Sequence, residues 1–123
     1  MSANFLIRMF ECYLLTIAIE TAVLFVGLSA RHSIRVKVFT GIWLTACTYP
    51  VVWMVLPPFF PERGLYLLVA ETFAPLAECG LFWFAFLRDR PRDRLFLQDM
   101  LAIVAANLAS FGAGELIYAA LEA

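Results

Sequence analysis

The chain has 123 residues, 63% of them hydrophobic, with a mean hydropathy of +0.85 and a formal net charge of −1. A soluble globular domain is nearer half apolar, and one of this length has too little interior to hide such an excess. The composition therefore argues against a water-soluble domain, the near-zero charge gives no field for nucleic acid, and lipid is left as the surroundings.

Taken in chain order, the first apolar run covers residues 5–28. It carries Arg8 and ends near Gly27-Leu28-Ser29-Ala30, as a leader peptide would. It is too long for an ordinary leader core, however, and contains Glu11 and Glu20, so it reads as a retained helix. Further runs follow at 36–56, 65–87 and 95–121. Each is long enough to cross a hydrocarbon core of ~30 Å at ~1.5 Å per residue. With no water there for backbone amides, each should be helical. The expected fold is all-α: one domain, an integral membrane four-helix bundle running up-down-up-down.

The connections are short. The second is the proline-rich stretch 57–64, and the third, Arg88-Asp89-Arg90-Pro91-Arg92-Asp93-Arg94, is rich in arginine. The first and third connections hold Arg31, Arg35, Arg88, Arg90, Arg92 and Arg94, with Lys37 just beyond; the other side has Arg8 and Arg63. The positive-inside rule then places both basic turns in the cytoplasm and both termini outside, in a bacterial inner membrane. Trp53, Tyr66 and Tyr118 fall near the outer interface and Trp83 near the inner one, as aromatic anchors do.

The two hairpins resemble each other. Glu20 lies 58 positions before Glu78, and Thr48 lies 59 before Asn107. Arg31 and Arg35 lie 59 before Arg90 and Arg94. The expectation is a tandem repeat of two helical hairpins, with units at about 9–58 and 67–117, related by an axis along the membrane normal.

Depth singles out the polar residues that matter. Glu20 and Glu78 sit near the midplane of their helices, where a charge costs at least ~2.5–3.5 kcal/mol, and no lysine or arginine shares their depth. Thr48 and Asn107 reach a similar depth from the cytoplasmic side, so the four residues are expected to meet in the bundle centre, one from each helix. Ser110 shares a face with Asn107, and Glu71 shares one with Glu78. Pro50 and Pro75 deprive the carbonyls of Ala46 and Glu71 of their helical donors. Carboxyls beside free carbonyls suit protons and hard cations.

Other groups are expected to be inert. Cys12, Cys47 and Cys79 all lie inside apolar runs and read as soft packing residues. His32, the lone histidine, reads as a solvated residue of the first basic turn. Neither a nucleophile elbow, a zinc-protease helix nor a phosphate loop occurs. No cofactor is expected, no metal ligand set is assigned, and the chain does not read as an enzyme.

Two functions remain. The first is a transporter or channel component for a cation, for protons or for a proton-coupled small solute. Glu20, Glu78, Thr48, Asn107, Glu71 and Ser110 would then bind the cargo. The second is a structural or accessory subunit of a larger membrane complex. The expected partners are the lipid bilayer, and a second copy or another membrane protein.

Overall fold

A computed structural model describes residues 3–122, apart from the side chains of Tyr118, Leu121 and Glu122. The interfacial place expected for the Tyr118 ring therefore lies outside the described residues. All secondary structure among these residues is helical: α1 (Ala3–Gly27), α2 (Ile34–Phe59), α3 (Arg63–Leu87) and α4 (Arg94–Glu122). All four are long and apolar enough to span a membrane.

The helix ends lie within three residues of those expected, and the starts have visible causes. The Ser33 hydroxyl accepts the Val36 amide (3.2 Å) at the head of α2, and the Asp93 carboxylate accepts the Phe96 amide (3.1 Å) at the head of α4. The proline-rich connection is the one marked difference. Residues 57–59 are helical where a loop was expected, because α2 changes its hydrogen bonding first. Val51–Val55 form a π-turn immediately after Pro50, and the Leu56 amide reaches back to the Val51 carbonyl. Pro57 and Pro58 then occupy the opening positions of a last short turn, where a missing amide costs nothing. α3 also ends in a π-turn, Trp83–Leu87.

α1 packs against α2 and α4, and α3 against the same two helices, which closes a ring of four. Lipid tails are as apolar as leucine, so contact between such helices depends on small residues and polar bonds more than on apolar burial. Gly41 of α2 lies directly on Thr21 of α1: a methyl group there would stand 2.8 Å from the Thr21 Cα. Gly27 of α1 meets Ala102 of α4 in the same way, at 3.0 Å from its Cβ. The outer surface is greasy, with Val26, Phe84, Leu76 and Leu68 well exposed.

The interior is lopsided. Its apolar core consists of Leu24 and Leu28 of α1, Leu44 of α2, Phe82 and Leu87 of α3, and Ala102, Ile103 and Ala106 of α4. All lie in the half that ends in the arginine-rich turns. Toward the opposite, proline-rich end, Ala70 is the one buried apolar residue among those described.

The arginine-rich end is stitched by Asp99, a residue of α4 with no exposure. Its Oδ1 accepts the Ser29 amide (2.8 Å); its Oδ2 accepts His32 Nε2 (2.8 Å) and an Arg31 guanidinium nitrogen (3.2 Å). The expectation of a solvated His32 is thereby corrected. The residue is 8% exposed, and its ring meets Phe82 edge-on at 5.2 Å between centroids. A carboxylate one turn inside α4 draws the imidazole inward. Nearby, the Gln98 amide donates to the terminal Gly27 carbonyl of α1 (3.1 Å). The proline-rich end is held by surface contacts instead: Arg63 to Glu115 (2.9 Å), the Tyr66 hydroxyl to the Val52 carbonyl (2.7 Å), and the Phe5 ring on Trp53 (5.7 Å).

Candidate functional site

Glu20 and Glu78, from α1 and α3, are each 2% exposed. They lie where the packed half of the bundle gives way to the open half. Leu24 is one turn from Glu20 on α1 and Phe82 one turn from Glu78 on α3, and both belong to the apolar core.

Glu78 is the better held of the two. Its Oε2 lies 2.9 Å from the Thr48 hydroxyl, and its Oε1 accepts the Asn107 side-chain amide at 3.2 Å. The second amide hydrogen of Asn107 goes to the Ile103 carbonyl (2.9 Å) on its own helix. Ser110 takes part indirectly, donating its hydroxyl to the Asn107 carbonyl (3.1 Å). Thus Glu78, Thr48 and Asn107 come together from three helices.

Glu20 does not join Thr48. Its Oε2 lies 2.8 Å from the hydroxyl of Thr45, one turn away on the same face of α2. The two carboxyls are therefore linked through neighbouring threonines, and the hydrogen bonds do not follow the spacing of the two hairpins. Glu20 Oε1 has no partner among the described residues, and neither do the buried hydroxyls of Thr21 and Thr40. Glu71 is half-buried, two turns from Glu78, and accepts no hydrogen bond among the described residues.

Each threonine hydroxyl has one proton and two acceptors. Thr45 Oγ1 is 2.9 Å from the Gly41 carbonyl as well as 2.8 Å from Glu20. Thr48 Oγ1 is 3.1 Å from the Leu44 carbonyl as well as 2.9 Å from Glu78. When a threonine proton turns to the backbone, the carboxyl must bring its own proton to keep the contact. When it turns to the carboxyl, the anion is solvated. Such a pair accommodates both protonation states without moving a heavy atom.

As a metal site the arrangement is poor. No group of three histidine, cysteine or acidic side chains converges among the described residues. At Glu78 the Asn107 amide presents hydrogens where a cation would need oxygens. The surface grooves, one bordered by Ile17, Thr21 and Ile42 and the other by Gly27, Gln98 and Ala105, are not lined by either acid.

Sequence reasoning missed Thr45 and Asp99. The signal for Thr45 was its position three before Thr48, with Gly41 one turn earlier on the same face. The signal for Asp99 was an acid inside the apolar run that follows Arg94. No known protein family, characterised protein or solved structure matches this chain.

Proposed function

We propose that the chain is a small, non-enzymatic integral membrane protein that handles protons or a cation at the bilayer midplane, as a component of a transporter or channel. In this reading the helices run up-down-up-down as two repeated hairpins, in a bacterial inner membrane, with the arginine-rich turns cytoplasmic and the termini outside. One observation carries it. Two carboxyls are buried at the same level with neutral partners alone, Thr45 for one and Thr48 with Asn107 for the other. An acid inside a membrane span is costly, and such residues mark ion or proton pathways.

Glu20 and Glu78 are the binding groups, Thr45, Thr48 and Asn107 their neutral partners. Ser110 props Asn107, and Glu71 serves as an entry position toward the outer face. Proton and cation flux in proteoliposomes tests this. Glu20→Gln and Glu78→Gln should abolish flux while the protein elutes as a single folded species, and unchanged flux in both variants would refute it.

The second reading, an accessory subunit, is favoured by the sparse packing of the proline-rich half. Helices that bury little against one another there have room for a partner's helices or a second copy. A stable, self-contained oligomer purified in mild detergent with no companion speaks against an accessory role.

A further inference from the structure

Of the two surface grooves, one carries a charge. It runs along α4, where Arg94, Leu97, Gln98, Leu101 and Ala105 fall on one stripe at spacings of three and four residues. All five are exposed. The floor is made of small residues. Gly27 of α1 lies against buried Ala102, so closely that a methyl at Gly27 would stand 3.0 Å from the Ala102 Cβ. α1 ends there, and the chain turns inward through buried Leu28 and Ser29, which leaves the start of the stripe uncovered. The other groove, between α1 and α2, is bordered by apolar residues and Thr21 alone.

The polar groups of the charged groove stand at the arginine-rich end. Arg94 has no acidic partner among the described residues. The neighbouring acid, Asp93, is engaged elsewhere: it caps the Phe96 amide (3.1 Å) and lies 3.9 Å from an Arg31 guanidinium nitrogen. Gln98 is oriented by its bond to the Gly27 carbonyl (3.1 Å), and its second amide hydrogen has no acceptor among the described residues. A free guanidinium and a free N–H one turn apart suit a phosphate group. No carboxylate borders the groove to oppose it, and beyond Gln98 the lining is apolar. From Arg94 to Ala105 is eleven residues, ~16 Å at ~1.5 Å each, which matches one leaflet, half of a ~30 Å hydrocarbon core.

We propose that this groove binds one anionic phospholipid, with its phosphate on Arg94 and Gln98 and one acyl chain laid over Gly27 and Ala102 as far as Ala105. A soluble phosphate compound would use the head of the groove alone; the apolar length beyond Gln98 fits a lipid tail. A zwitterionic headgroup offers Arg94 less, because its own cation competes for the phosphate. The site requires only that the helices lie in a bilayer, and so stands apart from proton or cation flux. A lipid held there fastens α1 to α4 from outside, across the seam at which Gly27 meets Ala102.

Native mass spectrometry of the protein released from nanodiscs tests the headgroup. The discs hold equal parts phosphatidylglycerol and phosphatidylcholine with the same acyl chains. The wild type should retain one phosphatidylglycerol in preference to phosphatidylcholine by about fivefold, the effect of one arginine on an anionic lipid. Arg94→Gln should abolish the preference, and Arg92→Gln, outside the groove, should keep it. No preference in the wild type, or one that survives Arg94→Gln, overturns the site. Equal loss in Arg92→Gln shows diffuse attraction to the basic turn and overturns it too.

The tail is tested at the far end. Ala105→Phe fills the exposed end of the groove and should lower retention of both lipids, with Ala105→Leu as the milder form if phenylalanine disturbs folding. In detergent, the wild type should retain phosphatidylglycerol on short acyl chains less well than on long ones. Unchanged retention in the Ala105 variants, or equal retention of short and long chains, overturns the lipid site, because the contact would then serve any soluble phosphate.

Discussion

Asp99 Oδ2 accepts the Nε2–H of His32 at 2.8 Å, and by that bond the turn between α1 and α2 is fastened to the first turns of α4. The same carboxylate holds the Ser29 amide and Arg31, and it is fully buried. Removing one partner of such a set strands the others. Asp99→Asn keeps the shape but sets an N–H against at least one donor and removes the negative charge beside Arg31, and should cost about 3 kcal/mol. His32→Ala removes one bond of three and should cost about 1–2 kcal/mol. Thermal unfolding in detergent compares the two; equal, negligible shifts would show that the fastening contributes nothing.

Gly41→Ala should be disruptive. The new methyl would meet Thr21, backbone included, so α1 and α2 must separate at about 1–3 kcal/mol. Gly80→Ala and Gly112→Ala provide the control, because nothing lies within 4 Å of a Cβ at either position. Both should be neutral or up to about 1 kcal/mol stabilising through helix propensity. The contrast in melting temperature between Gly41→Ala and these two is the measurement.

Glu78 and its partners make a stability prediction that is separate from flux. A glutamine reproduces a protonated Glu78, with one donor toward Thr48 and one acceptor toward Asn107. Glu78→Gln should therefore shift stability by less than about 1 kcal/mol. Glu78→Ala leaves Thr48 and Asn107 facing a gap and should cost about 2–4 kcal/mol. Denaturant titration of the two variants decides it, and a Gln variant as damaged as the Ala variant would argue for an anion at this position.

The Arg63–Glu115 pair makes the opposite case. Both side chains are more than a third exposed, at 49% and 38%, so the contact is screened and weak. Glu115→Gln should change stability by about 0.5 kcal/mol or less, and the small difference should vanish in high salt. A melting shift of several degrees would show the pair to be worth more than its exposure allows.

Amide exchange should map the uneven packing. Leu24, Leu44, Phe82 and Ile103 anchor the most protected amides. Segments of α1 before Glu20 and of α4 beyond Asn107 should exchange faster, because protection follows local burial. Mass spectrometry of deuterated peptides in nanodiscs measures this, and uniform protection along α1 would contradict it.

What the sequence revealed follows from which forces are local. The four spans were legible because bilayer thickness demands long apolar runs, and Glu78 with Asn107 was legible because an acid and an amide at one depth have few other partners. Thr45 was not, since a shift of α2 along its axis by one turn decides whether Thr45 or Thr48 lies level with Glu20, and the interhelical approach at Gly41 sets that register. Nor was His32. Its burial depends on Asp99, 67 residues away, and a histidine in a basic turn looks solvated until the carboxylate beneath it is seen. The helical course through Pro57 and Pro58 needed the preceding π-turn, which hydropathy does not register.

The unequal filling of the bundle has a mechanical consequence. Four rods packed tightly at one end and joined only by surface contacts at the other behave as levers, and a slight rocking about the level of Glu20 and Glu78 is magnified at the proline-rich tips, ~25 Å away. Glu20 and Glu78 sit at the fulcrum, where angles change and positions hardly do. Bilayer thickness and lateral pressure act on the tips. A surrounding bilayer therefore bears most on the loosely packed half, and lipids of different chain length offer a way to load that half without touching the chain.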